Sequence, residues 1–429
     1  MSRIARMGGE PAIEGVAGRS LRGHQTVTLG LLFLAGVVNF LDRSSLSIAN
    51  TTVRAEMHLN ATEMGWLLSA FSLAYGVAQL PLIGLLDRAG TRAVLGGGLV
   101  LWSAAQMLTG FVRGYGMFVV LRVLLGVGEA PFYPSGVRST REWFSARTRA
   151  RATAVMSSSQ TIGLAVAPPI LTWIMLKMGW RAMFVVLGAA GLAVAAAWIG
   201  FHRARRDTEF REPTSLQDPS FREEGAWRAL IRQRTVWGMM LGWGGINYTV
   251  WLYLAWLPGY LQEQRHLSLA RTGVVAAVPF LAGALGMWSS GAISDWLAHR
   301  GEALTTVHRR NIVCGMVVSA LSTFLVARSA TTAEAVAGIS GAIFCIHFAG
   351  TSGWGYVQAV SPLRYVASLG ALQNFASFMI ASAAPVVTGW LLDRTHSFTL
   401  ALGVCSAVAL LGAVSYATLA APGGMHLEE

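Results

Sequence analysis

The sequence predicts an all-α membrane protein in which twelve transmembrane helices form two six-helix halves around a central cavity. Three observations lead to this fold class. Of the 429 residues, 54% are hydrophobic and only 13% are charged, whereas a soluble domain has about 25% charged residues. Apolar segments of spanning length recur along the chain, and the largest basic loop lies near its middle. The composition therefore indicates a chain that crosses a membrane many times.

The spanning segments can be placed along the chain by their length. A transmembrane helix needs roughly 20 apolar residues, because backbone groups in lipid must be hydrogen-bonded within the segment. We expect the helices at residues 26–50, 64–86, 93–112, 117–137, 152–175, 181–201, 236–260, 272–294, 311–328, 333–356, 366–391 and 397–421. The first of these lacks a small-residue cleavage site, so we expect no secretory signal to be removed.

The positions of Lys and Arg predict the orientation, since positively charged loops stay in the cytoplasm. With the N-terminus in the cytoplasm, 23 basic residues lie in inner loops and 8 in outer ones. Both termini are then cytoplasmic. The chain divides into a tail (1–25), a first bundle (26–201), a cytoplasmic linker (202–235), a second bundle (236–421) and a short tail (422–429). Paired six-helix halves are typical of transporters that hold substrate where the halves meet.

Composition also excludes other classes of function. The net charge of +12 would suit nucleic acid on a soluble protein, but this chain has almost no soluble surface to carry a basic patch. Cys314, Cys345 and Cys405 lie in apolar segments without close Cys or His partners. We therefore expect no metal site, no disulfide framework and no organic cofactor.

Two similar loops occur at matching places in the halves. Gly84-Leu-Leu-Asp87-Arg88-Ala-Gly90-Thr-Arg92 follows the second span, and Gly291-Ala-Ile-Ser-Asp295 follows the eighth. An Asp at a helix end can accept from backbone amides at a neighbouring helix start, and Gly90 allows a tight turn. The loops predict a cytoplasmic latch between helices formed by Asp87, Arg88, Gly90, Arg92 and Asp295, although generic capped loops would have the same pattern.

These loops and three further segments resemble a known family. The segment at 84–92 resembles the signature loop of the major facilitator superfamily. Its anion:cation symporter branch is similar at Asn39-Phe40-Leu41-Asp42-Arg43, at Arg122-Val-Leu-Leu-Gly126-Val-Gly128-Glu129-Ala-Pro131 and at Asn374-Phe375. That branch includes bacterial D-galactonate, hexuronate and phthalate transporters, sialin and the vesicular glutamate carriers. The resemblance implies the major facilitator fold, alternating access, a monomer and a bacterial inner membrane.

Four charged residues lie well inside the predicted spans. They are Asp42, Arg43, Arg122 and Glu129, and charges within a membrane are usually paired and functional. Arg122 and Glu129 are seven residues apart on one helix face, while Asp42 and Arg43 point about 100° apart and need different partners. Purely structural roles remain open, with Asp42 neutralising a neighbouring Arg and an Arg122–Glu129 pair bracing the bundle.

Charge balance suggests how such a site would work. Two Arg and two carboxylates are neutral together, so an arriving anion is best accommodated when one carboxylate takes up a proton. We therefore expect a proton-coupled symporter that imports an organic carboxylate, with protons as the coupling ion. The family resemblance implies that Asp42 and Glu129 are the proton sites, that Arg43 anchors the carboxylate and that Arg122 tunes Glu129.

Further polar residues in apolar surroundings complete the predicted site. Tyr75, Gln160, Thr351, Trp354 and Asn374 occupy places that resemble the family's substrate contacts. For the two amides, a bond between helices is the alternative, because a buried amide requires partners. The aromatic residues could simply fill space.

The identity of the anion stays open between a sugar acid and an aromatic or other monocarboxylate. Phe40 stands where many sugar-acid carriers of the branch have Tyr, which favours a less hydroxylated anion. His347 could relay protons or simply pack, and we expect packing.

Three other functions compete with proton-coupled import. A drug exporter of the same fold would have a Gly-Pro-x-x-Gly-Gly signature in span five, whereas this chain has Ala167-Pro168-Pro169-Ile170 there. A facilitator would lack proton coupling. A membrane enzyme would need a nucleophile with a base or a metal cluster, and no such grouping is evident in the sequence.

Overall fold

The computed structural model describes residues 11–202, 230–362, 365–421 and 423 of the chain. Within these ranges the protein is almost entirely helical and contains no β-strand. The predicted linker, residues 202–235, lies mostly outside the described residues, and the C-terminal tail does so except for Gly423. The predicted N-terminal tail is helical from Pro11 onward, because the first helix begins there and continues without a break into the first span.

The helices divide between the two predicted halves. The first half contains α1 (Pro11–Met57), α2 (Ala61–Thr109), α3 (Tyr115–Glu129), α4 (Phe132–Trp143) and α5 (Ala146–Phe201). The second half contains α6 (Arg234–Glu263), α7 (Leu269–Val275), α8 (Ala277–His299), α9 (Leu304–Val326), α10 (Thr332–Val360), α11 (Val366–Ala381), α12 (Ala383–Thr395) and α13 (Thr399–Thr418).

Two of the longest helices are interrupted at a glycine. Gly90 in α2 has φ +74° and Gly179 in α5 has φ +79°, a backbone region that glycine enters without the steric cost of a Cβ atom. Each break separates two of the predicted spans. The tight turn expected at Gly90 is thus present in the structure.

The helices fall where the sequence places the spans. All twelve predicted segments lie mostly on helix. In the described part of the chain, nine helical stretches are both long and apolar enough to cross a membrane. They overlap ten of the predicted spans, while 93–112 and 236–260 are mostly helical but fall outside those stretches. Twelve membrane crossings therefore remain a prediction.

The two halves meet along α1 with α6, along α2 with α11 and α12, and along α5 with α7 and α8. The Oδ1 atom of Asp393 accepts from the backbone N of Ala61 at 2.8 Å, and Oδ2 accepts from Thr62 N at 2.8 Å and Thr62 Oγ1 at 2.5 Å. A carboxylate at a helix start satisfies unpaired amides and interacts favourably with the helix dipole. One half thus supplies the cap for a helix of the other.

Further contacts between the halves lie at the same end of the bundle. Arg54 Nη1 is 2.6 Å from Glu263 Oε1, and Thr51 Oγ1 donates to Gln262 Oε1 at 2.9 Å. Burial raises the pKa of Glu263, and nearby Arg54 opposes that shift. We call the region formed by residues 47–62, 255–263 and 382–393 the closed end.

The opposite end of the bundle, which carries the chain termini, is open. Among the described residues, no hydrogen bond or ion pair joins the halves there. Contacts at this end stay within one half. His202 stacks on Trp198 with ring centroids 3.9 Å apart and is hydrogen-bonded to Thr28 at 3.3 Å. Burial lowers the pKa of His202 to about 4, with Arg92 adding to the shift, so its ring is neutral at physiological pH.

Replacing Asp393 with Asn should loosen the closed end. A neutral amide has one oxygen for three donors and loses the charge that favours the start of α2. We expect the amide hydrogens at the beginning of α2 to exchange about tenfold faster, equivalent to roughly 1.4 kcal/mol. Hydrogen-exchange mass spectrometry of peptides that cover this helix start measures the change.

The matched control is Asp295→Asn. Asp295 is exposed, and its carboxylate makes no hydrogen bond with the described residues, so this change should leave exchange at α2 unaltered. Equal exchange in wild type and Asp393→Asn would show that the helix start is held by other contacts.

Candidate functional site

An ion pair between α1 and α3 forms the centre of the candidate site. Arg43 Nε donates to Glu129 Oε2 at 2.8 Å, and the two side chains are 10% and 0% exposed. Glu129 is the last residue of α3, because Pro131 interrupts the helix before α4 begins. The proline places the carboxylate at a helix end inside the bundle, facing α1.

Aromatic rings surround the Arg43 guanidinium. Its central carbon lies 5.0 Å from the Phe40 ring, 5.3 Å from Phe71 and 4.7 Å from Tyr75. Rings at these distances attract a cation through their quadrupoles. α2 can bring Phe71 and Tyr75 so close because its backbone contacts α3 at Gly126, where a Cβ atom would collide with Phe71 O.

Arg122 forms no ion pair with Glu129 among the described residues, so the alternative in which that pair braces the bundle is wrong. Its Nε donates to the backbone O of Leu67 at 3.3 Å, and its guanidinium lies 5.1 Å from the Phe71 ring. Seven residues along a helix correspond to a rise of about 10 Å, so a shared face does not bring Arg122 to Glu129 when Arg43 is nearer. Arg122 remains fully buried and interacts electrostatically with both Glu129 and Asp42.

Asp42 is buried without a hydrogen-bond partner. Its side chain is 0% exposed, and neither carboxylate oxygen bonds with any described residue. Buried polar groups are nearly always satisfied. An unpartnered carboxyl group beside an ion pair is therefore an unusual feature that needs a functional explanation.

A layer of aromatic rings separates this cluster from the second half. The Tyr75 ring lies 4.8 Å from Phe378, Phe71 lies 5.8 Å from Trp251, and Trp251 lies 6.1 Å from Phe378. The layer joins α2, α6 and α11, and it lies between the closed end and the open part of the bundle.

Polar groups of the second half lie next to this layer. Asn374 Nδ2 donates to Gln79 Oε1 at 2.7 Å, and Asn247 Nδ2 donates to Ser377 Oγ at 3.2 Å. Asn374 and Phe378 are one helical turn apart, as are Gln79 and Tyr75. The predicted Asn374 is thus linked to the ion-pair cluster through adjacent turns of α2 and α11.

Other predicted residues are not joined to this cluster. Gln160 is half-buried and makes no hydrogen bond with described residues. Thr351 bonds to the backbone O of His347 at 3.1 Å, and Trp354 is 42% exposed with its ring 5.5 Å from Trp243. His347 is bonded to Ile343 O on its own helix. These side chains lie apart from the ion pair, without a hydrogen bond or ring contact to it.

The predicted latch takes a different form from the expected one. Asp87 Oδ1 accepts from Arg138 Nη1 at 2.8 Å, and no described backbone amide donates to it. Arg138 also bonds to Glu142 at 3.1 Å. The guanidinium of Arg138 in α4 takes the place of the expected backbone amides as the donor to the Asp87 carboxylate.

The other latch residues act separately. Arg92 Nε donates to Ile199 O at 3.1 Å, so it ties the second part of α2 to the end of α5. Arg88 and Asp295 are exposed. The bonds that Asp87 and Arg92 make with described residues all lie within the first half.

Sequence reasoning missed several members of the cluster. Phe71 and Gln79 precede and follow Tyr75 by four residues on the same face of α2, which was a usable signal. Trp251, Phe378 and Asn247 had no such signal, because only the packing of α6 and α11 brings them to the site.

A family model described as Major Facilitator Superfamily matches residues 32–385. The chain belongs to this superfamily. It is therefore a multi-pass membrane transporter and not an enzyme. The ion pair and the aromatic layer lie where the two halves of this fold meet.

Related transporters cover nearly the whole chain. A probable L-galactonate transporter of Escherichia coli is 48% identical over 416 residues, which is 94% of this chain and 91% of that protein. A probable galactarate/D-glucarate transporter of Escherichia coli is 31% identical over 412 residues, covering 90% and 92%. A hexuronate transporter of Bacillus subtilis is 28% identical over 387 residues, covering 90% and 92%.

Solved structures support the fold. A bacterial homologue of the human lysosomal transporter Spinster, inward-facing and occupied, superposes with a TM-score of 0.76 at 16% identity, covering 95% of this chain and 97% of that one. A D-xylose-proton symporter gives 0.73 at 13% identity, covering 93% and 99%.

Removing Arg43 should destabilise the protein mainly through Glu129. Breaking one side of a buried ion pair leaves an uncompensated charge, at a cost of roughly 3–5 kcal/mol. We expect Arg43→Ala to lower the melting temperature more than Arg43→Ala combined with Glu129→Gln, since Gln fills the same space without a charge. Thermal unfolding of the detergent-purified chain measures both.

Arg113→Ala serves as the control, because Arg113 is exposed and forms no ion pair with the described residues. Its melting temperature should match the wild type. If the single and double variants at the ion pair melted at the same temperature, Glu129 would not depend on Arg43.

Proposed function

We propose that this transporter is a proton-coupled symporter that imports a sugar acid across the bacterial inner membrane. The observation that carries the proposal is the buried Arg43–Glu129 ion pair beside the unpartnered carboxyl group of Asp42. Arg43 is a fixed cation to which an incoming carboxylate can bind in place of Glu129. Glu129 and Asp42 are two adjacent groups able to hold a proton.

The substrate class follows from the site and the relatives together. The relatives named above are described as transporters of L-galactonate, of galactarate and D-glucarate, and of hexuronate. All of these are carboxylates that carry several hydroxyl groups. The planar guanidinium of Arg43 suits a carboxylate, while Gln160 and Asn374 offer amides to hydroxyl groups. A sugar acid therefore fits better than an aromatic monocarboxylate, despite Phe40.

Proton coupling follows from the sharing of Arg43. In the substrate-free arrangement Glu129 holds the guanidinium. A substrate carboxylate that binds Arg43 competes with Glu129, and an ionised Glu129 left in a dry interior would be costly. Protonation of Glu129 removes that cost, so substrate and proton bind together. Asp42 lies nearby as a second proton site, and the fully buried Arg122 keeps the empty site neutral.

The arrangement of the halves fits import to the cytoplasm. With both termini cytoplasmic, as the Lys and Arg distribution predicts, the closed end is the outer end and the open end faces the cytoplasm. The structure then corresponds to an inward-facing state. We propose that the protein works as a monomer in the lipid bilayer, with no cofactor beyond the coupling protons.

An exporter of cationic drugs fits the site less well. The carboxyl groups of Asp42 and Glu129 are fully buried, whereas the Arg43 guanidinium is partly exposed, so a cation would approach the positive side of the cluster. A facilitator without proton coupling could use the same anion site, and only a transport measurement separates it from a symporter.

Arg43→Ala should abolish saturable binding of L-galactonate to the detergent-purified transporter, because the anion loses the guanidinium that anchors its carboxylate. Wild type should show binding by calorimetry and a higher melting temperature with ligand. Arg43→Lys keeps the charge without the planar fork, and we expect at least a tenfold weaker affinity, roughly 1.4 kcal/mol.

Arg113→Ala should bind as wild type does. Wild-type affinity in Arg43→Ala would refute the anchor role. Stabilisation of wild type by lipophilic cations alone would favour the exporter instead.

Neutralising both carboxyl groups should uncouple transport from protons. We expect Asp42→Asn combined with Glu129→Gln to remove the response of L-galactonate uptake to an imposed pH gradient in proteoliposomes. Glu302→Gln, at an exposed ion pair with Arg310, should keep that response. An unchanged pH-gradient response in the double variant would argue against coupling through these residues.

A further inference from the structure

Contacts between α2 and the α11–α12 segment recur every one to two turns of α2, from the closed end to the centre. From Asp393 the series continues with Ser69 Oγ donating to Ser382 O at 2.6 Å. The Tyr75 and Phe378 rings come next, and the Asn374–Gln79 bond at 2.7 Å ends the series. We call this series the contact line. Gln79 is its last member toward the open end.

Beyond Gln79 the first part of α2 leaves the other half. Leu80 is 58% exposed and Leu85 is 50% exposed, and no described residue after Gln79 on this helix segment bonds to the second half. Gln79 and Asn374 are themselves half-buried. Their hydrogen bond therefore stands at the boundary between the packed centre and the open part of the bundle, where a solute can reach it.

The bond occupies one of the two N–H donors of the Asn374 amide, the one that the proposed substrate needs. Asn374 lies one turn from Phe378, whose ring contacts Tyr75, and the Tyr75 ring lies against Arg43. A sugar acid held at Arg43 by its carboxylate would extend toward Asn374 with its hydroxyl groups. In the structure the Asn374 amide donates to Gln79 instead.

We propose that Gln79 is a specificity-determining residue that competes with the substrate for Asn374. A substrate hydroxyl replaces Gln79 as the acceptor at Asn374, so a hydroxylated acid recovers the bond that it breaks. An acid without hydroxyl groups cannot replace Gln79 as the acceptor. Such an acid either binds while the Asn374–Gln79 bond stays intact or breaks that bond and binds less tightly. This proposal rests on the proposed function, because it takes a sugar acid as the substrate.

Competition predicts a gain in affinity when the competitor is removed. In Gln79→Leu the Asn374 donor is free before the substrate arrives, so L-galactonate should bind about twofold to tenfold more tightly, the effect of one hydrogen bond. Hexanoate, a six-carbon acid without hydroxyl groups, should bind with unchanged affinity. In an Asn374→Leu background, the second change Gln79→Leu should leave L-galactonate affinity unaltered.

Calorimetry on the full-length detergent-purified protein measures these affinities, with melting temperatures without ligand to show that each variant is folded. Gln79→Met provides a second variant of similar length without an acceptor oxygen, and it should repeat the result. The matched control is Gln262→Leu. Gln262 also bonds across the halves, to Thr51 at 2.9 Å, but it lies at the closed end away from Asn374.

Each alternative outcome has a distinct meaning. Weaker binding of L-galactonate to Gln79→Leu would make Gln79 a direct ligand and overturn the proposal. Tightening that persists without Asn374, or that appears equally in Gln262→Leu, would show loosened packing between the halves instead of competition. If wild type bound no sugar acid, the proposed function would fail first, and this inference with it.

Discussion

The buried ion pair between Arg43 and Glu129 is the interaction on which the centre of this transporter depends. Neither charge could remain ionised in a dry bundle alone, because desolvation costs several kcal/mol for each ion. Three features of the chain hold the pair together: Pro131 ends α3 at Glu129, Gly126 allows α2 to approach α3, and the rings of Phe71 and Tyr75 then cover the guanidinium. Local backbone breaks and a single small residue thus build an electrostatic site.

The same contacts connect the site to the arrangement of the two halves. Phe71 and Tyr75 face Arg43 on one side and the rings of Trp251 and Phe378 on the other. A change in the pairing of Arg43 therefore acts on a surface where the halves touch. Alternating access requires that connection, since substrate binding must alter the relative stability of two packings of the halves.

The closed end depends on a different kind of interaction. Asp393 of one half satisfies the first amides of α2 in the other, and backbone contacts at Gly65 and Gly389 let these helices approach closely. Such contacts are numerous but individually weak, and the partly exposed ion pair between Arg54 and Glu263 is another example. Because each contact is weak, the closed end can open without a prohibitive barrier.

The sequence by itself determined the helical membrane fold, the two halves and the four charged residues in the spans, because a lipid environment restricts backbone structure and penalises buried charge at each segment separately. It also marked Gly90 as a turn. Only the tertiary structure decided that Arg43 and not Arg122 holds Glu129, that Asp87 meets Arg138, and that Asn374 meets Gln79. Each of these pairs joins helices far apart in the chain, and spacing along one helix carries no information about which face of another helix lies opposite.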